Sequence, residues 1–221
     1  MRPDGKRVLS RAILPLALLG LATLTACQSA PSRDATPNTP LFLRQVNVDQ
    51  FDYDPLSSPD ELTKKASLVI RGQLSDIVAG RVFLEPGTKE SNIVSGVYKI
   101  EVGEVLRGQL AGPSDGIVYV EQIGIQNPEE ISATAPKGAD VLLYLVTAPS
   151  ESLVPGTEVL DDGAGFPPDQ PLYQTANPQG FYLDTGADVT QVVGNEVYRN
   201  SDLSQFEPGH DKFPSDPVTT E

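Results

Sequence analysis

Val141-Leu142-Leu143-Tyr144-Leu145-Val146 is continuously apolar, and its reading decides the fold. Six residues suit a strand better than a helix. An unbroken apolar run, rather than an alternating one, predicts a central strand buried on both faces. Such a strand needs partners on either side, and the flanking sequence supplies them.

Upstream, Ile117 to Ile123 reads as a strand. The run from Ile93 to Leu106 alternates Tyr98, Ile100 and Val102 against Lys99, Glu101 and Gly103. That period of two predicts a half-buried strand, and Gly96 and Gly103 predict bends of the kind a strongly curved sheet requires. Ser67 to Val78 carries Leu68, Ile70, Leu74 and Val78 on one face and Arg71, Gln73 and Ser75 on the other, with Gly72 as an interruption. Arg81 to Leu84 continues it past a bend at Ala79-Gly80, and Glu85-Pro86-Gly87 marks a turn. Arg107–Gly116 and Asn127–Gly138 read as loops. Downstream, short strands are expected at 172–175, 179–183 and 189–193, joined by Asn177-Pro178 and Asp184-Thr185-Gly186 turns.

One helix start is explicit. Ser58 can cap, Pro59 suits the first turn, and Glu61 follows Ser58 by three residues, as in a capping box. Lys64 and Lys65 favour the last turn, so a helix is expected over 59–66. With 19 Gly, 20 Pro and no Trp, the composition favours turns and short strands. The fold expected is mainly β: a small antiparallel OB-like barrel, closed to limit exposed edges, with one short N-terminal helix and added C-terminal hairpins.

The segments Ala66-Ser67-Leu68-Val69-Ile70-Arg71-Gly72, Tyr98-Lys99-Ile100-Glu101-Val102, Val105-Leu106-Arg107-Gly108 and Lys137 to Leu145 resemble exported bacterial domains related to the netrin-like, tissue-inhibitor-like OB barrels. The resemblance covers about 80 residues of loose strand pattern. Those animal inhibitors act through an N-terminal disulfide-bonded cysteine. This chain has no cysteine there, so inhibition of metalloproteases is not implied.

The N-terminus sets the location. Arg2, Lys6, Arg7 and Arg11 precede an apolar run from Ala12 to Ala26, which carries Pro15 and Gly20. A positive opening, a short apolar stretch and small residues before a cut make a secretory signal, and the run is shorter than the roughly 18 residues of a spanning helix. Leu24-Thr25-Ala26-Cys27 resembles a bacterial lipobox, and Cys27 is the only cysteine in the chain. The resemblance implies that Leu24, Thr25 and Ala26 are read by the signal peptidase. Cys27 then receives a diacylglyceryl group and becomes the first mature residue. The partners implied are lipoprotein-processing enzymes and membrane lipid, and the location is the extracytoplasmic face of the cell membrane. Two acyl chains anchor a protein stably where one does not.

The organisation expected is therefore a signal peptide over 1–26, a lipidated tether over 27–57, a domain over 58–200 and a disordered tail over 201–221. Removing residues 1–26 leaves 12 Lys+Arg against 29 Asp+Glu, a formal charge of −17. Such a body is repelled by nucleic acid and by anionic lipid head groups. With Cys27 lipidated no disulfide can form, and about 140 residues can bury a core without one.

Motifs that carry chemistry are few. Leu183-Asp184-Thr185-Gly186-Ala187-Asp188 resembles the catalytic loop of retroviral-type aspartic proteases, which implies Asp184 as one of two aspartates sharing a proton across a dimer. Val192-Val193-Gly194 follows too closely for that family's second apolar-Gly segment, and Asp-Thr-Gly between short strands is also ordinary turn chemistry. Asp49, Asp52 and Asp54 invite a calcium reading, but Pro55, Leu56 and Phe51 spoil the EF-hand spacing. His210 is the single histidine and lies in the expected tail, so neither a Ser-His-Asp triad nor a histidine zinc site is read. Gly103 to Gly108 has P-loop glycine spacing without its Lys and Ser/Thr. Glu129-Glu130 and Asp161-Asp162 read as solvated carboxylates, and no cofactor is expected. The function expected is a non-enzymatic, membrane-anchored binding or envelope-interaction domain whose extracellular partner the sequence does not name.

Overall fold

The computed structural model describes residues 39–46, 53–84, 87, 92–112, 115–150, 158–194, 196–214 and 218–219. Leu24, Thr25, Ala26 and Cys27, and with them the lipobox, lie outside the described residues, as do Asp49 and Asp52. The described elements are α1 (Thr39–Val46), α2 (Pro59–Lys65), β1 (Leu68–Leu84), β2 (Asn92–Arg107), β3 (Ile117–Ile123), α3 (Pro128–Thr134), β4 (Asp140–Thr147), β5 (Glu158–Asp161), β6 (Leu172–Thr175), β7 (Phe181–Asp184), β8 (Asp188–Gln191), β9 (Glu196–Arg199) and β10 (Val218–Thr219).

Strand β1 organises the sheet. It runs antiparallel to β2 from Val69↔Arg107 to Leu84↔Asn92. Its first third also pairs with β4, from Leu68↔Leu145 to Gln73↔Asp140, and its last residues pair with β5. Register shifts at Val69/Ile70, Arg71/Gly72, Leu74/Asp76 and Ala79/Val82 bend this long strand between its partners. Gly72 sits at one of them, and a Cβ there would lie 2.3 Å from the Glu101 carbonyl oxygen. The backbones approach so closely that only glycine fits.

The pairings return on themselves. β2 pairs with β3, β3 with β6, β6 with β4, and β4 with β1. These five strands form a ring, and β7, β8, β9 and β10 extend the sheet from the β4 side. β3 and β6 run parallel, so the sheet is mixed and not wholly antiparallel as expected.

The central strand explains its own sequence. Val141, Leu143 and Leu145 join Leu68, Ile70, Leu74, Tyr98, Ile100, Val118, Val120, Tyr173 and Phe181 in the main core. Leu142 and Tyr144 point the other way, into a second cluster with Leu62, Val69, Tyr182, Val189, Tyr198, Leu203 and Phe206. Both faces of β4 are dry, hence the unbroken apolar run. Inside the main core the Tyr98 ring meets Phe181 edge-on at 5.1 Å. Its hydroxyl donates to Gln122 Oε1 at 2.8 Å.

Helix α2 forms as expected. The Ser58 side chain accepts from the Glu61 N–H at 3.2 Å. The reciprocal bond is displaced by one residue, because the Glu61 carboxylate accepts from the Ser57 N–H.

Three further sequence expectations need correction. The loop read over 127–138 contains α3. Asn127 takes a left-handed conformation (φ 51°), Pro128 opens the helix, and Glu129 and Glu130 occupy its first turn. Those are helix-start signals that two nearby prolines disguised.

The expected tether over 27–57 overlaps α1. Phe42 and Val46, four residues apart on one helix face, are fully buried in the main core. The folded region therefore begins before residue 58.

The expected disordered tail begins too early. Asp202 and Gln205 form a capping box over a single 3-10 turn, Leu203–Phe206. Leu203 and Phe206 are buried, and Phe213 packs on the same cluster. Aromatic contacts drive this ordering. Tyr182, Tyr198, Phe206 and Phe213 are mutual neighbours, with ring centroids 4.7 to 6.5 Å apart.

Candidate functional site

The bend at Gly72 opens a groove on the sheet. It is lined by Arg71, Gly72 and Gln73 of β1, residues 101–104 of β2, and Asp140 of β4, and encloses about 530 Å³. Its position follows from the topology: β1 there pairs with β2 and β4 at once, and Gly72 projects no side chain. The walls carry Glu101, Glu104 and Asp140 against a single cation. Gln73 Nε2 donates to Asp140 Oδ1 at 3.1 Å, which orders one wall. Arg71 Nη1 lies 2.9 Å from Glu207 Oε1, so the C-terminal segment reaches the rim. Carboxylates around a groove open to solvent suit a polar ligand carrying positive charge.

Asp184 lies in the β7–β8 hairpin turn. Its Oδ1 accepts from the Gly186 N–H at 2.7 Å. Thr185 donates to the Asp188 carbonyl both through its N–H and through its hydroxyl, each at 2.9 Å. The Asp-Thr-Gly sequence thus serves as hairpin chemistry, with the aspartate and threonine side chains engaged in the turn.

The other singled-out residues do not converge. Glu129 and Glu130 are exposed on the first turn of α3, and Asp161 and Asp162 are exposed at and after the end of β5. Asp54 is exposed near the start of the described chain. His210 contributes its backbone carbonyl, which accepts from the Asp60 N–H at 3.2 Å. Gly103–Arg107 is the end of β2, and Gly108 follows it in the turn. Among the described residues no three His, Cys, Asp or Glu side chains gather as a metal site would require. No helix among them is long and apolar enough to cross a membrane.

Two buried polar groupings escaped the sequence reading. Arg81 Nε donates to Glu121 Oε1 at 2.8 Å, and its Nη2 donates to Glu121 Oε2. Ser95 Oγ also donates to Glu121, at 2.8 Å, and Arg81 Nη1 donates to the Pro149 carbonyl. The guanidinium carbon stands 5.2 Å from the Phe83 ring centroid. Forty residues separate the ionic partners, and no local pattern announces the pair.

The second grouping lies on β7 and β8. Tyr182 and Gln191 are cross-strand partners and fully buried, yet the Tyr182 hydroxyl and both Gln191 amide atoms have no hydrogen-bond partner. Gly194 closes over Gln191, since a Cβ there would fall 2.0 Å from its Oε1. Burial, reinforced by the nearby Tyr198, Tyr144 and Glu196, pushes the Tyr182 phenol well above its ordinary range.

No family model, curated protein or solved structure matches this chain.

Proposed function

We propose that this chain is a lipid-anchored protein of the extracytoplasmic membrane face, carrying an OB-type barrel that acts as a non-enzymatic binding module. The observation that carries the reading is the sequence Leu24-Thr25-Ala26-Cys27, with the chain's only cysteine placed behind a basic and then apolar N-terminus. Ring closure in the order β1-β2-β3-β6-β4-β1, with β3 parallel to β6 and a helix between β3 and β4, supports the barrel assignment.

The Gly72 groove is the binding face in this account. Its ligand is an extended polar segment with at least one cationic group, set between Glu101, Glu104 and Asp140. An anchored, strongly acidic body holds such a groove at the envelope, where cationic partners are drawn to it by charge.

Cell fractionation tests the anchor. The native chain sediments with membranes and is released by detergent. Cys27→Ala leaves that fraction or retains its leader. A native protein recovered in the soluble fraction would refute the reading.

A further inference from the structure

We propose that the outer face of α1, made by Pro40, Leu41 and Arg44, rests on the bilayer surface and fixes which end of the barrel faces the membrane. This rests on the lipid anchor at Cys27. Helix α1 turns Thr39, Phe42 and Val46 inward and leaves Pro40, Leu41 and Arg44 exposed. Spacings of three and four residues put the exposed trio on one stripe. Leu41 is 49% exposed, and only Val105 and Leu160 share that condition among the large apolar side chains described.

The helix is presented rigidly. Gln122 Nε2 donates to the Val46 carbonyl at 2.9 Å. Thr134 Oγ1 of α3 donates to Gln45 Oε1 at 2.6 Å. Its charge also suits a lipid surface. In a protein with 30 acidic residues, these eight residues hold none and include Arg44.

The tether makes a small contact sufficient. Residues 28–38 alone separate Cys27 from α1. Eleven residues, at full stretch, keep the helix within about 40 Å of the anchor. At the high local concentration this imposes, one apolar side chain at the headgroup boundary with a neighbouring arginine biases orientation. Glu129 and Glu130 on the adjoining α3 oppose anionic headgroups, so Leu41 supplies the contact and Arg44 supports it.

The test uses the full lipidated chain in phosphatidylcholine–phosphatidylglycerol vesicles. With Cys27 acylated, Leu41→Cys supplies a unique thiol for an environment-sensitive fluorophore, and Leu160→Cys supplies a control on β5. The label at 41 should brighten several-fold on transfer from detergent to vesicles and be quenched by a headgroup-level lipid quencher. The label at 160 should do neither. Arg44→Cys, labelled likewise, should follow position 41 and guards against a contact created by the dye itself. A water-exposed label at 41 on protein that remains vesicle-bound would overturn the inference and leave the anchor standing. A label already shielded in detergent, in a concentration-dependent way, would mean contact with a second copy and would also overturn it. Protein that lacks the lipid and floats free of vesicles would remove the anchor and the inference together.

Discussion

Arg81 and Glu121 form a forked, fully desolvated ion pair between β1 and β3, with side chains 4% and 1% exposed. Removing one partner strands the other charge in a dry site. Arg81→Met or Glu121→Leu should each lower unfolding free energy by about 3–5 kcal/mol in urea titrations. The double replacement Arg81→Met/Glu121→Leu should recover much of that loss, since neither charge is then left alone. If the single losses simply add, the pair is not coupled as the geometry requires.

Tyr182 and Tyr144 should respond oppositely to loss of a hydroxyl. The Tyr144 hydroxyl donates to the Phe206 carbonyl and ties the C-terminal segment to β4. Tyr144→Phe should destabilise by about 1–2 kcal/mol, because it leaves a buried carbonyl unsatisfied. The Tyr182 hydroxyl has no partner, so Tyr182→Phe should be neutral or stabilising in thermal melts. A comparable loss at both positions would mean that an ordered group bridges Tyr182 and Gln191.

Alkaline titration should be cooperative. Burial pushes the phenols of Tyr98, Tyr144, Tyr182 and Tyr198 up, with the Glu196 carboxylate adding to the effect at Tyr182 and Tyr198. In the unfolded chain they ionise near pH 10. A folded value above the unfolded one means that stability is intact below about pH 10 and falls as pH rises beyond it. Phenolate absorbance from these four should appear together with loss of near-ultraviolet circular dichroism. Their independent ionisation in the folded state would contradict the packing.

At the acid end, Asp76 matters. Burial pushes its carboxyl up, but hydrogen bonds from Lys137 (2.7 Å) and Ser132 (2.6 Å) more than reverse that and hold it at about 2. A folded value below the unfolded one contributes stability above about pH 4, lost as pH falls through about 2. Asp76→Asn should flatten this part of the stability profile, followed by urea midpoints across that range. The pair is half exposed to solvent, so the change should be small and shrink with added salt.

What the sequence discloses and what it hides divide along physical lines. The two-sided burial of β4, the alternation in β2, the cap of α2 and the Asp184 turn are local patterns, and the structure has each where the residues put it. The closure of β4 onto β1 and the parallel pairing of β3 with β6 are encounters between distant segments, which periodicity does not encode. Phe206 and Phe213 were lost for a related reason. Each sits in a polar, proline-bearing stretch, and the cluster they cover, with Tyr182 and Tyr198 brought alongside by the β7–β9 meander, is assembled from distant segments. The Gly72 groove was half visible, as a glycine breaking an alternating strand. Its acidic walls come from two other strands.

The account rests most directly on the chemical state of Cys27. Intact mass spectrometry of the membrane-extracted protein, beside Cys27→Ala, measures it. The account predicts a native mass equal to residues 27–221 plus a diacylglyceryl group, and an unlipidated variant. A native mass without lipid, whether cut or uncut before Cys27, would contradict it.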